Sequence, residues 1–219
     1  MKRIVGLDYL RVYTALMVFL FHSWMHLGCS FWKLTSFVSE GAAYMTLFFM
    51  MSGYVLGLKY KELPMDGTSL LKFYKKRLIS IAPLYVVCAM LYPPIFGVET
   101  WLQNLLILPI ELLGLQSAFP FLMPVSHNGG TWFVSCIIFC YLLFPLAMLL
   151  VKSISKRYVW VVVSIMYLVL LLSPWIVYVF HGEQIYSNPF FRFLEFSIGI
   201  VMAVNVENIQ NETSAKLLS

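Results

Sequence analysis

The stretch LDYLRVYTALMVFLFHSWMHL, residues 7–27, decides how the rest of the chain is read. It is long enough to cross a bilayer as a helix, which needs about 20 mostly apolar residues. Yet it holds two ionisable side chains, Arg11 and His22, where charge is costly. They lie eleven positions apart. Eleven steps of about 100° make three turns plus about 20°, so both project from one face. At about 1.5 Å per residue they stand roughly 16 Å apart along the axis. One stripe thus presents a cation towards one leaflet and an imidazole towards the other. Snorkelling is the plain alternative, with Arg11 pairing with Asp8 one turn back and His22 reaching outwards.

Working outward, four more stretches meet or approach spanning length: Gly41–Leu58, Leu78–Phe96, Trp132–Val151 and Val159–Phe180. A sixth, Pro189–Val204, is shorter and carries Arg192 and Glu195 near its start. The composition agrees: 61% of residues are hydrophobic and 11% charged, with mean hydropathy +0.83. A soluble domain is about half apolar and about a quarter charged, so lipid must cover the surplus. The expected fold is an all-α, polytopic transmembrane bundle of about six spans. Residues 1–204 form its membrane domain and 205–219 a polar, loosely ordered tail. The net charge of +5 sits in short clusters between apolar runs, the pattern of membrane-protein loops, so no nucleic-acid partner is expected. The first apolar stretch is too long for a cleavable signal and lacks a small-residue cleavage site.

Trp101–Phe119 is ambiguous, being apolar but interrupted by Gln103, Asn104, Pro109, Glu111 and Gln116. Charge bias arbitrates. If it does not span, the cytoplasmic side receives Lys2, Arg3, Lys59, Lys61, Lys72, Lys75, Lys76, Arg77, Lys152, Lys156, Arg157 and Lys216. Lys33 and Arg192 then remain outside, as the positive-inside rule requires. If it spans, Lys152, Lys156 and Arg157 move out and the bias weakens. The segment is therefore expected to be interfacial or re-entrant on the outer face, with both termini cytoplasmic.

Several other features carry competing readings. Gly53 and Gly57 have the GxxxG spacing that lets helices approach closely. Ser52 beside them could be a nucleophile if a base reached it, and otherwise a hydrogen-bonding contact. Lys75-Lys76-Arg77 is either a topology determinant or a cytoplasmic grip on a polyanion such as a coenzyme phosphate. Trp132 suits an interfacial aromatic belt, and Arg192 and Glu195, one turn apart, can pair. His22 and His26 have no convincing third ligand, so no metal site is expected. Cys29, Cys88, Cys136 and Cys140 lack CxxC spacing.

In order and setting these features resemble the acyltransferase family 3 membrane proteins, which move acyl groups onto sugars of exported glycans or onto small secreted molecules. The matches are Leu7–Arg11 with His22, Phe48–Tyr54, Phe73–Arg77 with Pro83 and Tyr85, Trp132 to Tyr141 with Pro145, and Arg192-Phe193-Leu194-Glu195-Phe196 with Gly199. Three features depart from the pattern. Ser80 stands where members often have a second arginine, and Ile137 where many have a glutamate. Members also usually continue for several more helices. The resemblance implies a donor such as acetyl-CoA or another acyl-CoA, used as a substrate with no tightly bound cofactor. It implies a sugar, glycan or small hydroxyl acceptor, with His22 as general base and Arg11 beside the donor. Ser52, Lys75, Lys76, Arg77, Trp132, Arg192 and Glu195 become substrate- or donor-binding candidates. A transporter or flippase, or an inactive fragment working with a partner chain or a second copy, is the competing reading.

Overall fold

The computed structural model describes residues 4–96, 101–119, 129–180 and 185–217, all of them helical or connecting. Its helices are α1 (Val5–Leu27), α2 (Thr35–Ser39), α3 (Tyr44–Lys59), α4 (Gly67–Phe96), α5 (Trp101–Leu112), α6 (Trp132–Ser153), α7 (Val159–Leu171), α8 (Ser173–Phe180) and α9 (Pro189–Leu217). Among the described residues three segments are long and apolar enough to cross a membrane, Val5–Leu27, Gly41–Lys59 and Gly129–Ser153.

The other expected spans also form helices, of different build. The Leu78–Phe96 stretch lies within α4, which starts earlier, at Gly67. Asp66 caps it there, its carboxylate accepting the Ser69 N–H at 2.9 Å and the Thr68 hydroxyl. These bonds, the Thr68 hydroxyl first, hold the Asp66 carboxyl well below the usual carboxylate range. A depressed pKa means that the cap is present at neutral pH and is lost only as pH falls through the lowered value. The Val159–Phe180 stretch is divided into α7 and α8 at Leu172, two residues before Pro174. Proline lacks the N–H and crowds the preceding turn, which bends a helix. Hydrogen bonding continues across the bend, from Leu172 N–H to the Leu168 carbonyl and from Ile176 N–H to Leu172.

The chain divides into two compact units: Met1–Lys61 with Ser155–Val163 and Glu195–Ser219, and Glu62–Ile154 with Ser164–Leu194. In the first, α1 ends at Gly28, whose φ of 66° is a conformation glycine adopts without strain. Thr14 and Met17 are buried on the inward side of α1. Gly41 packs against it so closely that a Cβ there would lie 2.9 Å from the Met17 carbonyl. The Tyr13 and Tyr44 hydroxyls meet at 2.9 Å.

The tightest contact in this unit joins α3 to α9. A Cβ built on Gly53 would run into the Phe196 carbonyl, and one on Gly199 into the Met50 carbonyl. At Gly57 it would lie 2.7 Å from Ala203 Cβ. Thr46 pairs with Glu195, Met50 with Gly199, and Gly57 with Ile200 and Ala203. Both numberings rise together, so α3 and α9 run parallel.

In the second unit α4 and α6 run antiparallel. The Tyr74 hydroxyl donates to the Leu142 carbonyl at 3.0 Å, and the Phe73 and Phe144 rings stack 5.1 Å apart. Nearer the start of α6, Gln116 links Tyr85 of α4 to Thr131. α5 has 12 residues, about 18 Å of helix, well short of a hydrocarbon core of about 30 Å. A turn at Gly114 (φ 66°) then folds residues 116–118 onto the start of α6.

Because the α3–α9 contact is backbone to backbone, neither glycine can accept a methyl group without displacement. Gly53→Ala and Gly199→Ala should each lower stability by about 1–3 kcal/mol, whereas Gly6→Ala, with open space around it, should not. Thermal unfolding of the detergent-solubilised protein checks this, and equal midpoints for all three variants would rule out the contact.

Candidate functional site

Arg11 and His22 lie on α1 within a segment of spanning length. Both are exposed. The His22 ring stacks on His26, with centroids 5.4 Å apart and planes within 4°. Phe21 lies edge-on to it at 5.3 Å. The ring thus has an aromatic neighbour on one side and a second imidazole one helical turn away.

Also in the first unit, α3 supplies Ser52 and Thr46 while α9 supplies Glu195. Ser52 is half-buried, and among the described residues its hydroxyl makes no hydrogen bond to a base. Nothing activates it as a nucleophile there. Glu195 is 5% exposed and accepts a hydrogen bond from the Thr46 hydroxyl at 2.8 Å. Thr46 was not expected from the sequence. The available signal was its place one turn before Met50, on the stripe that continues through Gly53 and Gly57.

In the second unit the structure brings together Trp132 and Arg192, which are far apart in sequence. Arg192 is 5% exposed. Its guanidinium carbon lies 4.6 Å from the Tyr186 ring centroid and 5.3 Å from that of Trp132. The two rings are 4.8 Å apart. The Arg192 Nε–H donates to the Tyr186 carbonyl at 2.7 Å. A planar, weakly hydrated cation suits such an aromatic setting better than an ammonium would. Tyr186 is the partner the sequence did not reveal.

Lys75, Lys76 and Arg77 are consecutive on α4 and so fan over about 200° of the helix surface. Lys75 and Lys76 are exposed and Arg77 is half-buried, so the three do not converge on one point. Lys152 lies 3.7 Å from Glu62, which brings the end of α6 to the connection between α3 and α4. Among the described residues no three His, Cys, Asp or Glu side chains gather as a metal site.

Apolar helices of spanning length define a helical membrane protein, with ionisable side chains on the helices of each unit. The acyltransferase domain model of acyltransferase family 3 matches residues 4–219, and the chain belongs to that family. It is similar to the acyltransferase MdmB of Streptomyces mycarofaciens, with 26% identity over 232 aligned positions. The match covers 92% of this chain and 57% of that protein, so the chain spans little more than half of its relative's length. No solved structure matches the chain.

The Arg192 cage yields a quantitative expectation. Tyr186→Leu removes one ring but keeps the carbonyl, and should cost about 1 kcal/mol. Arg192→Ala removes both ring contacts and the hydrogen bond, and should cost about 2–3 kcal/mol. Tyr178→Leu, at an exposed position, serves as the control. Thermal midpoints in that order support the cage, and indistinguishable midpoints contradict it.

Proposed function

We propose that this chain is an integral membrane O-acyltransferase of the cell membrane. It would transfer an acetyl group from cytoplasmic acetyl-CoA to a hydroxyl of a sugar or exported glycan. The observation that carries this reading is the Arg11–His22 stripe on α1. Two ionisable groups on the exposed face of a spanning helix are costly against lipid. A charged donor and a hydroxylated acceptor would give both of them polar company. Family membership and the MdmB match supply the reaction class.

The proposed topology has six spans, a cytoplasmic N-terminus and an α5 that stays at the outer face. α3 ends in Lys59 and is followed by Lys61, which favours the cytoplasmic side. α4 then rises from that side. Since α6 runs antiparallel to α4, it returns to the cytoplasm, and α9 descends parallel to α3. A spanning α5 would reverse both relations. The Lys152–Glu62 pair fits the same sidedness.

In this topology Arg11, Lys75, Lys76 and Arg77 are cations of the donor side, suited to the phosphates of acetyl-CoA. His22, Trp132 and Arg192 belong to the acceptor side, and Glu195 with Thr46 lies next along α9. In the reaction the acceptor oxygen attacks the thioester carbonyl as His22 takes its proton. The carbon–sulfur bond then breaks, and coenzyme A leaves with the proton returned to its sulfur. Among the described residues Ser52 has no base beside it, which favours this direct transfer over an acyl-enzyme on that residue.

Membranes carrying the wild type, His22→Ala or Arg11→Ala, supplied with labelled acetyl-CoA, test the assignment. Loss of general-base catalysis should reduce transfer in His22→Ala by about 100-fold or more. Arg11→Ala should chiefly raise the KM for acetyl-CoA. Full activity in both variants would overturn the reading.

A further inference from the structure

Residues 116–118 and the start of α6 bury, with α4, a group of polar side chains that the proposed reaction does not use: Tyr85, Gln116, Ser117, Thr131 and Ser135. Their hydrogen bonds fix how Gln116 is oriented. The Tyr85 hydroxyl donates its one proton to the Glu111 carbonyl, so it can only accept from Gln116. The Gln116 atom 3.2 Å from it must therefore be Nε2 rather than Oε1. The same Nε2 donates to Thr131 Oγ1 at 2.8 Å. The neighbouring Ser117 is locked in turn, its N–H on Ser135 Oγ and its hydroxyl on the Trp132 carbonyl, both at 3.1 Å.

With the amide so anchored, Oε1 faces away from Tyr85 and Thr131. The Gln116 side chain is 1% exposed, and among the described residues no donor reaches Oε1. A buried carbonyl oxygen with open lone pairs requires an O–H or N–H donor. The acceptor is uncharged, so it suits a neutral hydroxyl better than an ammonium. Its place is also apt, because Thr131 directly precedes Trp132, which holds Arg192.

We propose that Gln116 Oε1 receives a hydroxyl of the sugar acceptor and holds it in the site, with Tyr85 and Thr131 aiming the amide. This rests on the O-acyltransferase reading above. A resident water would offer the same O–H chemistry, and kinetics separates the two. The probes are methyl α-glucopyranoside, methyl α-galactopyranoside and methyl α-mannopyranoside, used as acceptors with labelled acetyl-CoA and full-length protein in membranes. Gln116→Met keeps the length but removes the strong acceptor. It should raise the sugar KM at least tenfold and leave the KM for acetyl-CoA within twofold. Should that variant not fold, Thr131→Val removes one anchor and should raise the sugar KM at least threefold.

An unchanged sugar KM in the folded variant, with His22→Ala inactive, assigns the oxygen to a resident water and overturns this inference while leaving the reaction intact. If the wild type acetylates none of the three sugars, the sugar-acceptor reading fails and this inference fails with it.

Discussion

The backbone contact between α3 and α9 is the constraint on which the first unit depends. Gly53 and Gly199 remove the side chains that would otherwise hold the two helices apart. The helices then approach until carbonyls meet Cα atoms, a distance that a Cβ at either position would prevent. Three consequences follow from that one approach. Phe196 and Ile200 are fully buried, Glu195 comes within hydrogen-bond reach of Thr46, and the two helices are fixed in parallel. Parallel order constrains the path between them, because two parallel spans are joined by an odd number of crossings.

The second unit meets the same demand by a different route. Its α4–α6 pair is held by aromatic stacking and by a tyrosine-to-carbonyl bond. Small residues serve here too: Cys136 and Cys140 are fully buried on α6, and Cys136 donates to the Ser187 carbonyl at 3.2 Å. Above them the chain must bury a short, irregular segment without stranding its polar groups. Ser117, Ser135 and Thr131 accomplish this, and the carbonyl oxygen of Gln116 is what remains over.

The legible parts of the sequence were those governed by local rules. Leu7–Leu27 became Val5–Leu27, since a mostly apolar run followed by glycine marks both the helix and its end. Gly53 and Gly57 read correctly as a helix contact. Their partner Gly199 did not, because the contact joins residues far apart in sequence. Leu78–Phe96 located the apolar part of α4 but not its start, since hydropathy marks membrane depth while Asp66 marks where helical hydrogen bonding begins. Val159–Phe180 read as one span because hydropathy does not register the bend at Pro174. Trp132 and Arg192 were each singled out for their own motif, but Tyr186, which completes the cage, carries no such signature. Gln116 counted in the sequence only as a reason to doubt a span.

The proposed function depends on sidedness, with the donor on one side of the membrane and the acceptor on the other. That sidedness turns on whether α5 crosses the bilayer, and the connection between α6 and α7 reports it directly. In a protein whose four cysteines are replaced by serine or alanine, a single cysteine at Lys156 can be tested with a membrane-impermeant maleimide. Labelling only after the membrane is permeabilised is the result predicted for a cytoplasmic Lys156 and a non-crossing α5. Labelling in intact cells would contradict it.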